Sequence, residues 1–249
     1  MDKIQALLLD LSGVLYDGST VINGALETVA EARQRGLTLR FVTNTASKSK
    51  QQTLRELLAM GFTLEESELF TAPQAAREYL QQHKLRPYCL LHDNLTDEFS
   101  DINQSNPNCV LLGDARDKLN YSSLNTAFQL CHQGLPLIAI GNNKYFLEHN
   151  QLQLDIGAFV KALEWAAGCE AIIMGKPSRT FFAQVVASTP FQAGQCLMVG
   201  DDVFGDVEGA LSAGLQAVLV QTGKYLSGDE YKLPEPCRVI ESVAALFQA

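Results

Sequence analysis

Residues 6–15 of the chain read ALLLDLSGVL, an apolar run that ends in an aspartate and a turn. The four apolar residues 6–9 are typical of a strand buried in a parallel sheet. Asp10 follows the run directly, and Gly13 permits a turn just beyond it. Because open α/β sheets bind ligands at the carboxyl ends of their strands, Asp10 is well placed to act as a nucleophile. An aspartate that only caps the loop fits this residue equally well when it is taken alone.

Short apolar runs alternate with helical segments along most of the chain, which is the pattern of βαβ units and a parallel sheet. The sequence therefore predicts an α/β fold with a doubly wound, Rossmann-like core of parallel strands. This core comprises residues 1–75 and 171–249, and a smaller α/β domain is inserted at residues 76–170. The predicted core strands are 6–9, 38–42, 196–199 and 217–220, and the predicted strands of the inserted domain are 88–91, 110–112 and 137–140.

A second polar cluster, GDDVFGD at residues 200–206, follows the predicted strand 196–199. Its three carboxylates, Asp201, Asp202 and Asp206, would repel one another and raise one another's pKa unless a cation neutralised them. Mg²⁺ prefers oxygen ligands and is commonly held by one or two carboxylates together with a substrate phosphate. The loop and Asp10 therefore fit a magnesium site. A solvated acidic loop is the alternative, but the flanking residues are apolar or glycine.

Two further polar groups follow apolar runs. Lys176 comes after residues 171–174 and offers a point charge for a phosphate oxygen. Thr43 and Asn44 end the predicted strand 38–42 and supply a hydroxyl and an amide for the remaining oxygens. A purely local turn role for Thr43 and Asn44 fits their residue types equally well.

Composition narrows the classes of partner. The formal net charge of −9 disfavours binding to nucleic acid or to an anionic membrane surface. The first residues lack the pattern of a signal peptide, and the six cysteines are scattered without zinc-site spacing. We therefore expect a cytoplasmic protein that acts on a small molecule.

Four motifs occur in one order along the chain: DLSGVL at 10–15, Thr43-Asn44, GKP at 175–177 and GDDVFGD at 200–206. This ordered set resembles the haloacid dehalogenase-like hydrolases. The place of the inserted domain resembles the NagD-like branch, in which a large α/β cap lies between the second and third motifs. Residues 9–16 are similar to the phospholysine phosphohistidine inorganic pyrophosphate phosphatases and their relatives.

The resemblance implies a magnesium-dependent phosphatase that works through an aspartyl-phosphate. Asp10 would attack phosphorus, which divides a difficult displacement into two easier steps. Asp10, Asp201 and the backbone carbonyl of Ser12 would bind Mg²⁺. The inserted domain would be a cap that closes over a small phosphorylated substrate and excludes water. A homodimer formed through this cap is a further expectation.

The same resemblance implies roles for the other motif residues. Thr43, Asn44 and Lys176 would hold the phosphoryl oxygens, a positioning task on which phosphoryl transfer depends. Asp202 and Asp206 would orient Lys176 or metal-bound water.

Ser12 departs from the wider family pattern, in which most phosphatases carry an acid-base aspartate two residues after the nucleophile. A serine hydroxyl is a poor general acid, and acid-base help contributes about 10²–10⁴-fold. We therefore expect a preference for good leaving groups, as in pyrophosphate, acyl or aryl phosphates and phosphoramidates. Two alternatives stay open. One is metal-free dehalogenation, against which the acidic cluster counts, and the other is a catalytically weak phosphate-binding regulatory protein.

Overall fold

The computed structural model describes residues 3–148, 151–233 and 237–248. The strands are β1 (Ala6–Asp10), β2 (Tyr16–Asp17), β3 (Thr20–Val21), β4 (Thr38–Thr43), β5 (Leu69–Thr71), β6 (Pro87–Leu90), β7 (Cys109–Leu112), β8 (Leu137–Ala139), β9 (Tyr145–Glu148), β10 (Gln151–Leu154), β11 (Ile172–Ile173), β12 (Cys196–Gly200), β13 (Gln216–Val220) and β14 (Arg238–Ile240). The α-helices are α1 (Ala25–Gln34), α2 (Lys50–Ala59), α3 (Ala72–Gln82), α4 (Tyr121–His132), α5 (Ile156–Ala167), α6 (Arg179–Ala187) and α7 (Gly209–Ser212).

The chain divides into two compact units, and the first contains residues up to 43, 51–70 and those from 176 onward. A six-stranded sheet with the order β14-β13-β12-β1-β4-β5 organises it. The pairs from β14 through β4 are parallel. All five residues of β1 are buried, as the apolar run predicted. The predicted α/β class and parallel core are thus confirmed.

The strand order creates a ligand edge. β1 lies between β4 and β12, so the chain winds outward from it in both directions, and the crevice at such a switch point is where doubly wound sheets bind ligands. Parallel pairing places the carboxyl ends of β1, β4, β12 and β13 along this one edge. Asp10 pairs in register with Val42, and Gly200 with Leu219. Polar residues that follow these strands therefore meet.

The segment after β12 is not a regular α-helix. Residues Val203–Glu208 form a π-helical turn that continues into α7, and π-turns are frequent at functional sites. A Cβ on Gly209 would lie 2.8 Å from Pro177 Cα. Glycine therefore allows this helix to approach the backbone beside Lys176.

The second unit contains residues 44–50 and 71–175. Its four-stranded parallel sheet has the order β11-β8-β7-β6, and β9 and β10 form an antiparallel hairpin. Apolar side chains of β7, β8, α4 and α5 form a core of its own. Within the described ranges, no helix combines the length and apolar character that crossing a bilayer requires.

The unit boundaries differ slightly from the predicted domain boundaries. The first boundary falls after residue 70 rather than 75, and the last before residue 176 rather than 171. The strand β11 pairs with β8, which places it in the second sheet although the prediction put residues from 171 onward in the core. Residues 44–50 also group with the second unit. The functional assignment of the two units as core and cap stays a prediction at this point.

Candidate active site

Three carboxylates converge at the ligand edge of the first unit. Asp10 ends β1, Asp201 follows β12, and Asp206 lies in the π-helical turn. Each is buried, with exposed fractions of 8%, 2% and 1%. One carboxylate oxygen from each lies within 4.8 Å of the other two. Three buried acidic groups this close can coexist only if positive charge or protons offset their repulsion.

Lys176 supplies part of that positive charge. Its Nζ lies 2.5 Å from Asp10 Oδ1 and 2.5 Å from Asp206 Oδ1. Burial by itself lowers the pKa of this lysine, but the two carboxylates outweigh that effect and raise it above its ordinary value. Lys176 is therefore a permanently charged group that bridges the end of β1 and the turn after β12.

One ammonium group does not balance three carboxylates. Burial, and then the charges of Asp10 and Asp206, raise the pKa of Asp201 to about 8. Burial likewise raises the pKa of Asp206, although Lys176 opposes the shift. These two carboxyl groups thus hold protons far more strongly than ordinary aspartates, which is the electrostatic signature of a site short of one cation.

A buried oxygen with no partner marks where that cation fits. Asp201 Oδ2 accepts the backbone N–H of Lys224 at 2.7 Å, but the buried Oδ1 accepts no hydrogen bond from any residue that the structure describes. Asp206 Oδ1 also lacks a well-directed hydrogen bond, and its contact with Lys176 is an ion pair. A cluster of hard carboxylate oxygens fits a divalent ion such as Mg²⁺.

Two glycines make room for Asp201. Gly13 and Gly223 have φ values of 89° and 64°, which L-residues rarely adopt. A Cβ on either glycine would lie 2.1 Å from Asp201 Oδ2. In addition, the hydroxyl of Thr222 donates to the carbonyl of Gly13. The loop after β13 is thereby tied to the loop after Asp10, with the Asp201 carboxylate between them.

Sequence reasoning missed the loop at residues 222–224. A signal was available, because this loop follows the predicted strand 217–220 and so ends at the same sheet edge as Asp10 and Asp201. No cluster of like charge marks this loop, which consists of Thr222, Gly223 and Lys224. Its sequence alone therefore does not indicate a site.

Asp202 and Asp206 take different positions. Asp206 forms the ion pair with Lys176 described above, and its predicted role in orienting this lysine stays a prediction. Asp202 caps the π-helical turn, since its Oδ1 accepts the N–H groups of Phe204 and Gly205. Its Oδ2 lies 3.3 Å from the Nζ of Lys224.

The other predicted site residues are divided between the two units. Thr43 is buried at the end of β4, the strand paired with β1. Asn44 belongs to the second unit, where a Cβ on Gly175 would lie 2.6 Å from its Oδ1. Ser12 is exposed two residues beyond Asp10. Near them, burial and then the charge of Asp10 raise the pKa of Tyr16 to about 12.

Comparison with known proteins identifies the family. The haloacid dehalogenase-like hydrolase model matches residues 7–104, and a HAD-hydrolase-like model matches residues 173–246. The chain is 42% identical over 234 residues to phospholysine phosphohistidine inorganic pyrophosphate phosphatase of Homo sapiens, which covers 92% of this chain and 87% of that protein. This chain is a haloacid dehalogenase-like hydrolase. The resemblance drawn from the four motifs is confirmed.

Solved structures share the fold of this hydrolase along its whole length. The 4-nitrophenylphosphatase of Thermotoga maritima is 26% identical with a TM-score of 0.90, covering 100% of this chain and 98% of that one. A glycerol phosphate phosphatase of Mycobacterium tuberculosis in complex with magnesium is 26% identical with a TM-score of 0.86, covering 99% and 77%. NagD of Escherichia coli, 23% identical over 97% of both chains with a TM-score of 0.86, shows the same fold. At the family level, the hydrolase is a phosphatase.

Proposed function

We propose that the hydrolase is a Mg²⁺-dependent phosphatase that transfers a phosphoryl group first to Asp10 and then to water. The observation that carries this proposal is the placement of a buried carboxylate, Asp10, at the end of the central strand with Lys176 at 2.5 Å and two further carboxylates beside it. Phosphoryl transfer through an aspartyl-phosphate needs three parts. These are a nucleophile, a fixed cation, and a cluster of carboxylates that lacks one positive charge.

Asp10 and Asp201, with the backbone carbonyl of Ser12, would hold the metal ion. The partnerless Oδ1 of Asp201 and the raised pKa of that group support this assignment, because a bound cation removes both costs. The relative from Mycobacterium tuberculosis, whose structure contains magnesium, supports the choice of ion. When bound, Mg²⁺ neutralises charge on the nucleophile and the phosphate and stabilises the transferring group.

The protein's own groups carry the other parts of the reaction. Lys176 would bind an oxygen of the transferring group while it keeps Asp10 oriented, and Asp206 fixes Lys176 from its other side. Thr43 and Asn44 would bind the remaining oxygens. Asp10 then forms the new bond to phosphorus as the bond to the leaving group breaks, and water later attacks the phosphorus of the aspartyl-phosphate.

Ser12 sets the proposed substrate class. It stands where most family phosphatases have an acid-base aspartate, so the leaving group must depart without a proton from that position. Pyrophosphate, phosphoramidates and aryl or acyl phosphates meet this condition better than alkyl phosphates. The name of the human relative, which combines phospholysine, phosphohistidine and pyrophosphate, supports the same class for this chain.

The test is phosphate release from p-nitrophenyl phosphate, pyrophosphate and an alkyl phosphate, with Mg²⁺ or with EDTA. We compare the wild type with Asp10→Asn and with a matched control, Asp17→Asn, at an exposed strand residue. We expect phosphate release that requires Mg²⁺, is abolished in Asp10→Asn and persists in Asp17→Asn. Release in EDTA would contradict the metal requirement. Phosphate binding without release would favour the regulatory alternative.

A further inference from the structure

The backbone of Lys224 is fixed against the acidic cluster. Its N–H donates to Asp201 Oδ2 at 2.7 Å. Just before it, Thr222 donates its hydroxyl to the carbonyl of Gly13, and Gly223 packs so closely that its Cβ would lie 2.5 Å from Gly13 Cα. The position of residue 224 is therefore set by the same contacts that build the cluster.

The side chain of Lys224 is much less constrained than its backbone. Its ammonium lies 3.3 Å from Asp202 Oδ2, longer than the roughly 2.7–2.9 Å of strong charge-assisted bonds. The side chain is 64% exposed, whereas that of Lys176 is 4% exposed and lies between two carboxylates. Ion pairs this exposed contribute little, so an anion can compete with Asp202 for the ammonium.

We propose that Lys224 binds the leaving phosphate of a diphosphate substrate, a role that rests on the phosphatase function proposed above. In an in-line displacement the attacking and leaving oxygens lie on opposite sides of phosphorus. Asp10 is buried at the strand end, so an in-line leaving group lies on the side of phosphorus opposite the Asp10 carboxylate. Within the described part of this unit, Lys224 is the cation that lies next to the cluster with an exposed ammonium group.

This role of Lys224 compensates for the missing acid-base aspartate at position 12. Asp10 forms a P–O bond, the bridging P–O bond breaks, and its electron pair leaves on the departing phosphate as added negative charge. With no aspartate at position 12 to donate a proton, an ammonium group stabilises that charge instead. Water then attacks the aspartyl-phosphate, which restores the Asp10 carboxylate, and the proton of that water ends on a phosphate product.

The experiment compares the wild type with Lys224→Met, Lys224→Arg and a matched control, Lys232→Met. Lys232 is another lysine of the same unit that pairs with an aspartate, Asp229, and it is 49% exposed. We measure kcat/KM for pyrophosphate and for p-nitrophenyl phosphate with saturating Mg²⁺. A lost charge-assisted contact corresponds to about tenfold or more, so we expect the pyrophosphate-to-nitrophenyl ratio to fall about tenfold in Lys224→Met. Lys224→Arg should keep most of the ratio, and Lys232→Met should keep all of it.

A second readout measures binding without turnover. Imidodiphosphate, a non-hydrolysable diphosphate, should inhibit nitrophenyl phosphate hydrolysis about tenfold more weakly in Lys224→Met. Equal losses on both substrates would show that Lys224 only positions Asp201 and Asp202, and no loss on either substrate would remove it from substrate binding. A wild type that hydrolyses nitrophenyl phosphate but neither cleaves pyrophosphate nor binds imidodiphosphate would overturn this inference alone. A wild type inactive on every substrate would overturn the phosphatase proposal with it.

Discussion

Removing the charge of Asp201 should stabilise the metal-free protein. The folded protein raises the pKa of this carboxyl group to about 8, through burial and the charges of Asp10 and Asp206. Between the ordinary value and that raised value, the folded state holds a proton that the unfolded state has released. The free energy of unfolding therefore falls as pH rises through this window.

The size of the effect follows from the shift. At pH 7 the solution is about three pH units above the ordinary pKa of Asp201. Each of these units lowers the free energy of unfolding by about 1.4 kcal/mol, so Asp201 destabilises the metal-free fold by about 4 kcal/mol. In Asp201→Asn the amide oxygen can still accept the N–H of Lys224, and the amide nitrogen can donate to the neighbouring carboxylates. A chain of this length gains about 2–4 °C in Tm per kcal/mol, so we expect a Tm higher by about 8–16 °C near neutral pH.

Thermal unfolding in EDTA and in Mg²⁺, at about pH 5 and about pH 8, tests this reasoning. In EDTA, Asp201→Asn should be more stable than the wild type at the higher pH, and this difference should be much smaller at the lower pH. Mg²⁺ should stabilise the wild type, most strongly at the higher pH, and should have little effect on the variant. A variant less stable than the wild type at about pH 8 in EDTA, or one with a full response to Mg²⁺, would refute the account.

Three other variants probe separate parts of the site. Lys176→Met leaves two buried carboxylates without their cation. It should lower kcat for nitrophenyl phosphate by about 10²–10³-fold and the free energy of unfolding in urea by about 3–5 kcal/mol. Gly223→Ala should reduce the rise in Tm that Mg²⁺ causes, because the added Cβ would lie 2.1 Å from Asp201 Oδ2. Gly36→Ala is the control for backbone strain alone, since Gly36 has a φ of 75° and open space around it. Ser12→Asp should raise turnover of alkyl relative to aryl phosphates, and an unchanged ratio would mean that position 12 does not limit proton transfer.

The sequence was sufficient to place the central strands and the acidic cluster. The run at residues 6–9 is apolar throughout because β1 is buried on both faces, and this continuity is visible without a structure. Once strands are known to be parallel, their carboxyl ends must share an edge, which brings together Asp10, Asp201 and Asp206 from distant parts of the chain. Lys176 was predicted beside them as the polar residue after an apolar run, although the strand before it, β11, belongs to the second sheet.

Features that depend on strand neighbours were not predictable in the same way. The loop at 222–224 matters only because β13 lies beside β12, a pairing that no local pattern encodes.

The helix α3 was missed although Thr71 accepts the N–H of Gln74 as its N-cap and a proline stands in its first turn. The strand β11 reads like a core strand, and only its pairing with β8 assigns it to the second sheet. The homodimer and the cytoplasmic location stay predictions.

The most direct test of the central claim is mass spectrometry of the enzyme quenched in acid during turnover of p-nitrophenyl phosphate with Mg²⁺. The account predicts a phosphorylated peptide that contains Asp10, with the phosphate on that residue, and its absence both in Asp10→Asn and in wild type quenched from EDTA. A phosphoryl group on another residue, or steady turnover of Asp10→Asn with phosphate release intact, would contradict the aspartyl-phosphate mechanism.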